Sequence, residues 1–115
     1  MRIITDRIEN EIKGDITRDI AGGRYASAAD KLSAIVDRVR ANIPESKRGS
    51  YGIVYSVKTV SELLFKHLVN LDLSAFEVAS QIYVKGTNHR GRSVGLGILS
   101  YYGLRDLQRV LPYFE

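Results

Sequence analysis

The sequence predicts an all-α domain of antiparallel helical hairpins, and three observations point there. Apolar residues recur at helical spacing in several separate segments, glycines mark the ends of those segments, and helix-start patterns precede two of them. Residues 1–115 are read as a single domain, because 115 residues at 44% hydrophobic content suffice for one modest core.

The first helix rests on Ile4, Ile8, Ile12, Ile16 and Ile20, spaced strictly by four. On a helix of about 3.6 residues per turn, this spacing draws one slowly drifting apolar stripe. Asp6, Arg7, Glu9, Glu11 and Lys13 fall on the other faces; Gly14 is a weak point, and Gly22-Gly23 is the stop. A second helix is expected over 27–42, with Ala28, Leu32, Ile35, Val36 and Val39 as its core face. Pro44 forces the chain out of helix, so 43–49 is a loop with a small basic tip at Lys47-Arg48.

Residues 51–71 carry two patterns. Tyr51, Ile53, Tyr55 and Val57 alternate as a strand would, ahead of a capping box at Thr59-x-x-Glu62. Ile53, Val57, Val60, Leu64 and Leu68 also form one helical stripe. The strand pattern defines an alternative fold, α+β with a small antiparallel sheet from 51–57, 81–85 and 93–99. Beyond it, Ser74-x-x-Glu77 is a second capping box, and Ala75, Val78, Ala79 and Ile82 share a face that ends at Gly86. Asn88 then caps a helix from His89 to Tyr102, closed by Gly103, and Leu104, Leu107, Val110 and Leu111 begin another stripe that Pro112 disturbs. Gly91, Gly95 and Gly97 each cost a helix about 1 kcal/mol against alanine. Close approach of a neighbouring helix would offset that cost, since Gly91 and Gly95 stand four apart on one face. The stripes and caps favour helix over sheet.

Composition removes several function classes. With no cysteine, disulfide scaffolds, thiolate zinc sites and thiol nucleophiles are excluded. Neither a signal-peptide pattern nor an apolar run of membrane-spanning length is present, so a cytoplasmic place is expected. His67 and His89 are too few and too far apart to suggest a metal cluster, and no nucleophile–base–acid pattern stands out. An enzyme is therefore not expected, and neither is a cofactor. The net charge of +4 leans towards anionic partners.

The most informative segment is Lys85 to Tyr102. Within it Gly86 to Ser93 reads G-x-x-x-x-G-R-S, one residue from a phosphate-cradling P-loop. A true P-loop follows a hydrophobic strand and works with an acidic magnesium ligand at the end of another strand. Only 22 residues follow Ser93, and none forms an apolar run ending in aspartate, which argues against nucleotide hydrolysis. The remaining chemistry is phosphate recognition. Lys85, Asn88, His89, Arg90 and Arg92 gather at a predicted helix start, with Tyr83, Tyr101 and Tyr102 nearby for stacking.

The segment from Ser74 to Glu115 resembles the HEAT-like helical repeats of the bacterial and archaeal DNA alkylation repair family. The resemblance rests on an apolar helix ending near Tyr83, a short turn, an arginine (Arg90 or Arg92) early in a second apolar helix, and a third helix over Leu104 to Phe114. It covers the first half of the chain only by helix rhythm. It implies a concave, basic helical surface suited to duplex backbone, or a protein-interaction scaffold. Members of that family are about twice as long and carry their base-excision residues in later repeats, so no catalytic residue is carried over. The end at Leu111–Glu115 fits a fragment or a minimal relative. The expected function is a non-catalytic helical module holding nucleic-acid backbone at the Lys85–Arg92 turn. Its alternatives are a protein-interaction scaffold with an apolar helical groove and a small α+β nucleotide-binding domain.

Overall fold

The computed structural model describes residues 2–103 except 48 and 72, and no side chain of residues 2–5, 47, 50 and 51. Helices α1 (Arg2–Glu11) and α2 (Thr17–Ala21) run on through a π turn, Ile12–Ile16. Then come α3 (Tyr25–Ala41), a 3₁₀ turn (Glu45–Lys47), α4 (Gly49–Asn70), α5 (Ala75–Lys85) and α6 (His89–Gly103). The predicted helix from Leu104 lies outside the described residues. So does the Lys47-Arg48 tip, apart from the Lys47 backbone.

The π turn resolves the four-residue isoleucine spacing. Four steps overshoot one α-helical turn by about 40°, so a long run would rotate its stripe off the core. A π turn holds more residues, and the same step undershoots there and cancels part of the drift. Ile8, Ile12, Ile16 and Ile20 all remain buried. Gly14 sits at the centre of this wide turn. Thr17 Oγ1 donates to the Ile12 carbonyl at 2.5 Å and lies 2.9 Å from His67 Nε2 on α4. Its one proton being used on Ile12, Thr17 accepts from Nε2–H, which assigns that tautomer to His67.

No strand occurs among the described residues, and 51–57, 81–85 and 93–99 all lie in helices, so the small sheet is not formed. Side-chain exposure shows why. A strand would turn Tyr55 and Val57 to one face, yet Tyr55 is 38% exposed and Val57 only 9%. The helical stripe Val57, Val60, Leu64 and Leu68 is the buried one. Thr59-x-x-Glu62 is accordingly no cap. It lies inside α4, where Thr59 donates to the Tyr55 carbonyl and Glu62 pairs with Lys66. Ser74 does stand at the N-cap of α5, but its side chain makes no capping bond, and Glu77 accepts from Gln81 instead.

Helix α6 packs against α3, α4 and α5, and its glycines make that possible. A β-carbon on Gly91 would run into the Ala29 backbone of α3, one on Gly95 would lie 2.5 Å from the Ala79 carbonyl of α5, and one on Gly97 would lie 2.5 Å from Ser61 Oγ of α4. Gly91 and Gly95 thus serve two neighbours rather than one. Four residues turn a helix about 40° past a full turn, which places the pair at the seam between α3 and α5. Ser61, buried against Gly97, donates to the Val94 carbonyl at 3.1 Å and so fastens α4 to α6. At the far end Phe65 stacks on Tyr102 with 4.1 Å between ring centroids, and Phe76 lies against Phe65.

The α2–α3 corner is held by charge. Gly23 takes a left-handed φ of 73°, which a β-carbon would strain. The chain then returns so that Arg24 Nε, Ser27 Oγ and Lys31 Nζ converge on Asp19 at 3.1, 2.7 and 2.9 Å. Asp19 is only 5% exposed. Burial by itself would raise its carboxyl, but the hydrogen bonds from Lys31, Ser27 and Arg24 outweigh it and hold the group at about 2, below the ordinary 3.8.

Two outcomes follow from this packing. Gly91→Ala should destabilise by about 1–3 kcal/mol despite its better helix propensity, because rigid backbone stands where the methyl must go. Gly14→Ala, with only the Arg18 side chain at 4.0 Å, should be neutral or stabilising by up to about 1 kcal/mol. Urea midpoints check both, and a Gly91→Ala protein as stable as its parent would contradict the packing. For Asp19 the folded-state value lies below the unfolded one, so the unfolded chain binds more protons in the window between them. Its contribution is complete above about pH 4 and declines as pH falls from 3.8 towards 2. The stability difference between the parent and Asp19→Asn should shrink over that window; a pH-independent difference would count against the clamp.

Candidate functional site

The turn between α5 and α6 gathers the predicted phosphate-binding residues, and each has a distinct environment. Asn88 caps α6 as predicted, its Oδ1 accepting from the backbone N–H of Arg90 at 3.0 Å and of Gly91 at 3.3 Å. The Asn88 carbonyl also takes the Arg92 N–H at 2.9 Å. The N–H groups of Arg90, Gly91 and Arg92 are therefore consumed within the chain. That removes the cradle a P-loop requires, and the element before Gly86 is helix α5 rather than a strand. Gly86 itself is extended, with φ −66° and ψ 140°. It is glycine for room, since a β-carbon would lie 2.6 Å from the Ile82 carbonyl and 2.9 Å from Ala29 Cβ.

The four cationic or ionisable side chains divide. Arg90 reaches across to α3 and forms an ion pair with Asp37, which neutralises it. Arg92 donates from Nε to the Tyr83 carbonyl at 2.8 Å and lays its guanidinium over the Tyr83 ring, 4.7 Å from the centroid. Lys85 is exposed, with Nζ 5.4 Å from the centre of the Tyr25 ring. His89 is exposed at the first position of α6. Among the described residues, no carboxylate lies within ion-pair distance of Lys85 or Arg92, and 78–103 contains no aspartate or glutamate. Among the described residues the turn thus carries two cations without a counter-charge and an exposed imidazole.

Tyr25 and Asp37 belong to this site and carry no sequence signal that would have found them, since α3 meets the turn only through folding. Of the tyrosines near in sequence, Tyr83 is at the site. Tyr101 and Tyr102 are not, because the length of α6 carries them about 20 Å away. Tyr101 stands near Lys58, and Tyr102 stacks on Phe65. His67 and His89 are likewise separate: burial, and then the charge of Lys13, hold His67 below its ordinary value, and it serves the π turn.

A second surface feature lies between α4 and α6. Ile53, Val54, Leu96 and Tyr101 border a groove of about 270 Å³. Val54 is 56% exposed, and Leu96 and Tyr101 are about as open as Tyr55. Among the described residues, no helix is long and apolar enough to cross a membrane. Compared with protein-family models, curated proteins and solved structures, the chain matches none.

Proposed function

We propose that the chain is a non-catalytic helical module that holds nucleic-acid backbone at the α5–α6 turn. The observation that carries this reading is Arg92. Its Nε and one guanidinium face are fixed by Tyr83, and among the described residues its terminal nitrogens have no partner and Lys85 no counter-ion. A guanidinium held in place keeps its forked donors ready for phosphate at little further ordering cost. We read the α5–α6 pair as one hairpin of a HEAT-like array, and the short turn from Gly86 to Asn88 supports it.

Fluorescence anisotropy with a labelled oligonucleotide over a salt series tests the site. Binding should weaken with salt, and Lys85→Ala/Arg92→Ala should flatten the slope of log K against log salt by about 1.4–1.8, the value for two phosphate contacts. Arg18→Ala, which removes an exposed cation already paired with Asp15, should leave the slope nearly unchanged. A double variant that binds like the parent would overturn the assignment.

The α4–α6 groove favours the second reading, a protein-interaction scaffold. Lys58 stands by Tyr101 at the edge of this groove, and segments 49–61 and 89–103 contain no carboxylate, so the fitting partner is an apolar helix with acidic flanks. An amphipathic model peptide flanked by glutamate should shift amide resonances of residues 53–57 and 96–101, and its lysine-flanked counterpart should not. Equal effects of the two peptides, or shifts confined to other residues, would remove this reading.

A further inference from the structure

Two stacked planar groups and an exposed imidazole lie at the α5–α6 turn. The Tyr83 ring carries the Arg92 guanidinium, and His89 stands three residues before Arg92 on the same helix. Residues three apart on a helix are neighbouring positions, so the exposed His89 leaves α6 on the same side as Arg92. Lys85 completes the edge from the last turn of α5, beside the half-buried Tyr25 ring. Nucleobases stack on aromatic rings, imidazoles and guanidinium planes alike.

We propose, resting on the phosphate-binding reading above, that the ligand of this turn is single-stranded nucleic acid, with bases stacked on the planes of Arg92 and His89 and backbone phosphate on Lys85 and the terminal nitrogens of Arg92. Charge decides between strand and duplex. Asp37 neutralises Arg90, which among the described residues leaves two uncompensated cations at the turn. Two phosphate contacts give little binding at physiological salt, where duplex-binding proteins commonly use six to ten. Each stacked base adds on the order of tenfold and needs no additional cation. A duplex hides its base faces and offers this edge only phosphates. An unpaired strand offers both, so the small charge and the planar groups suit the same ligand.

The test compares three probes of equal length: a single-stranded oligothymidylate, the same backbone with abasic sites, and a duplex. The base-bearing strand should bind at least about tenfold tighter than the abasic one. Arg92→Lys, which keeps the charge but loses the plane, should weaken the base-bearing strand on the order of tenfold more than the abasic one. His89→Ala, at an exposed position, should act in the same sense and serves if Arg92→Lys perturbs folding. Equal binding of base-bearing and abasic strands overturns the stacking proposal and leaves phosphate binding standing. So does tighter binding of the duplex. Failure of all three probes to bind overturns the phosphate reading as well.

Discussion

Close approach to α6 is the constraint on which the rest of the molecule depends. Three helices lie against it, and each meets a glycine at the nearest point: α3 at Gly91, α5 at Gly95 and α4 at Gly97. A helix with this many glycines is intrinsically weak, by about 1 kcal/mol at each. Isolated, such a segment has little reason to stay helical. Packed from three sides it does, because the absent side chains let backbones and small residues meet and give Val94, Ile98 and Leu99 full burial. The residues that weaken the helix locally are those that let it occupy the centre.

This central position also creates the candidate site. The start of α6 is pressed on Ala29, so the α5–α6 turn cannot move away from α3 without opening the Gly86 and Gly91 contacts. Tyr25 is thereby brought under Lys85, and Asp37 within reach of Arg90. The Asp19 clamp matters here too, since it sets where α3 begins and hence where Tyr25 stands. The same packing gives a basic turn and removes one of its charges.

Much of the fold was legible in the sequence because helix formation is read locally. The isoleucine spacing, the stripe Val57–Val60–Leu64–Leu68, the stop at Gly22-Gly23 and the Asn88 cap each depend on residues within a few positions of one another. Local patterns misled where they were short. Thr59-x-x-Glu62 has the composition of a cap and lies mid-helix, since a helix already nucleated upstream has no free amides there for Thr59 to bind. Gly86 was expected to end α5 as a good C-terminal glycine. It does so in extended backbone and is needed for space instead.

The sequence alone favoured the all-α class over a small sheet, and set most of the helix stripes and a basic, glycine-marked turn carrying Lys85, Asn88, His89, Arg90 and Arg92; that 49–57 is helix came from the fold. The stripes and the turn follow from periodicity, propensity and charge, which are properties of neighbours in the chain. Only the tertiary structure decided which of those charges stay free. The charge of Arg90 is balanced by Asp37, Lys85 is set against Tyr25, and Arg92 is aimed by Tyr83. The physical reason is that counter-ions and ring faces act through space over a few ångströms, and Asp37 and Tyr25 stand more than fifty positions from the cations they meet, while Tyr83 meets Arg92 only because the turn folds α5 back on α6.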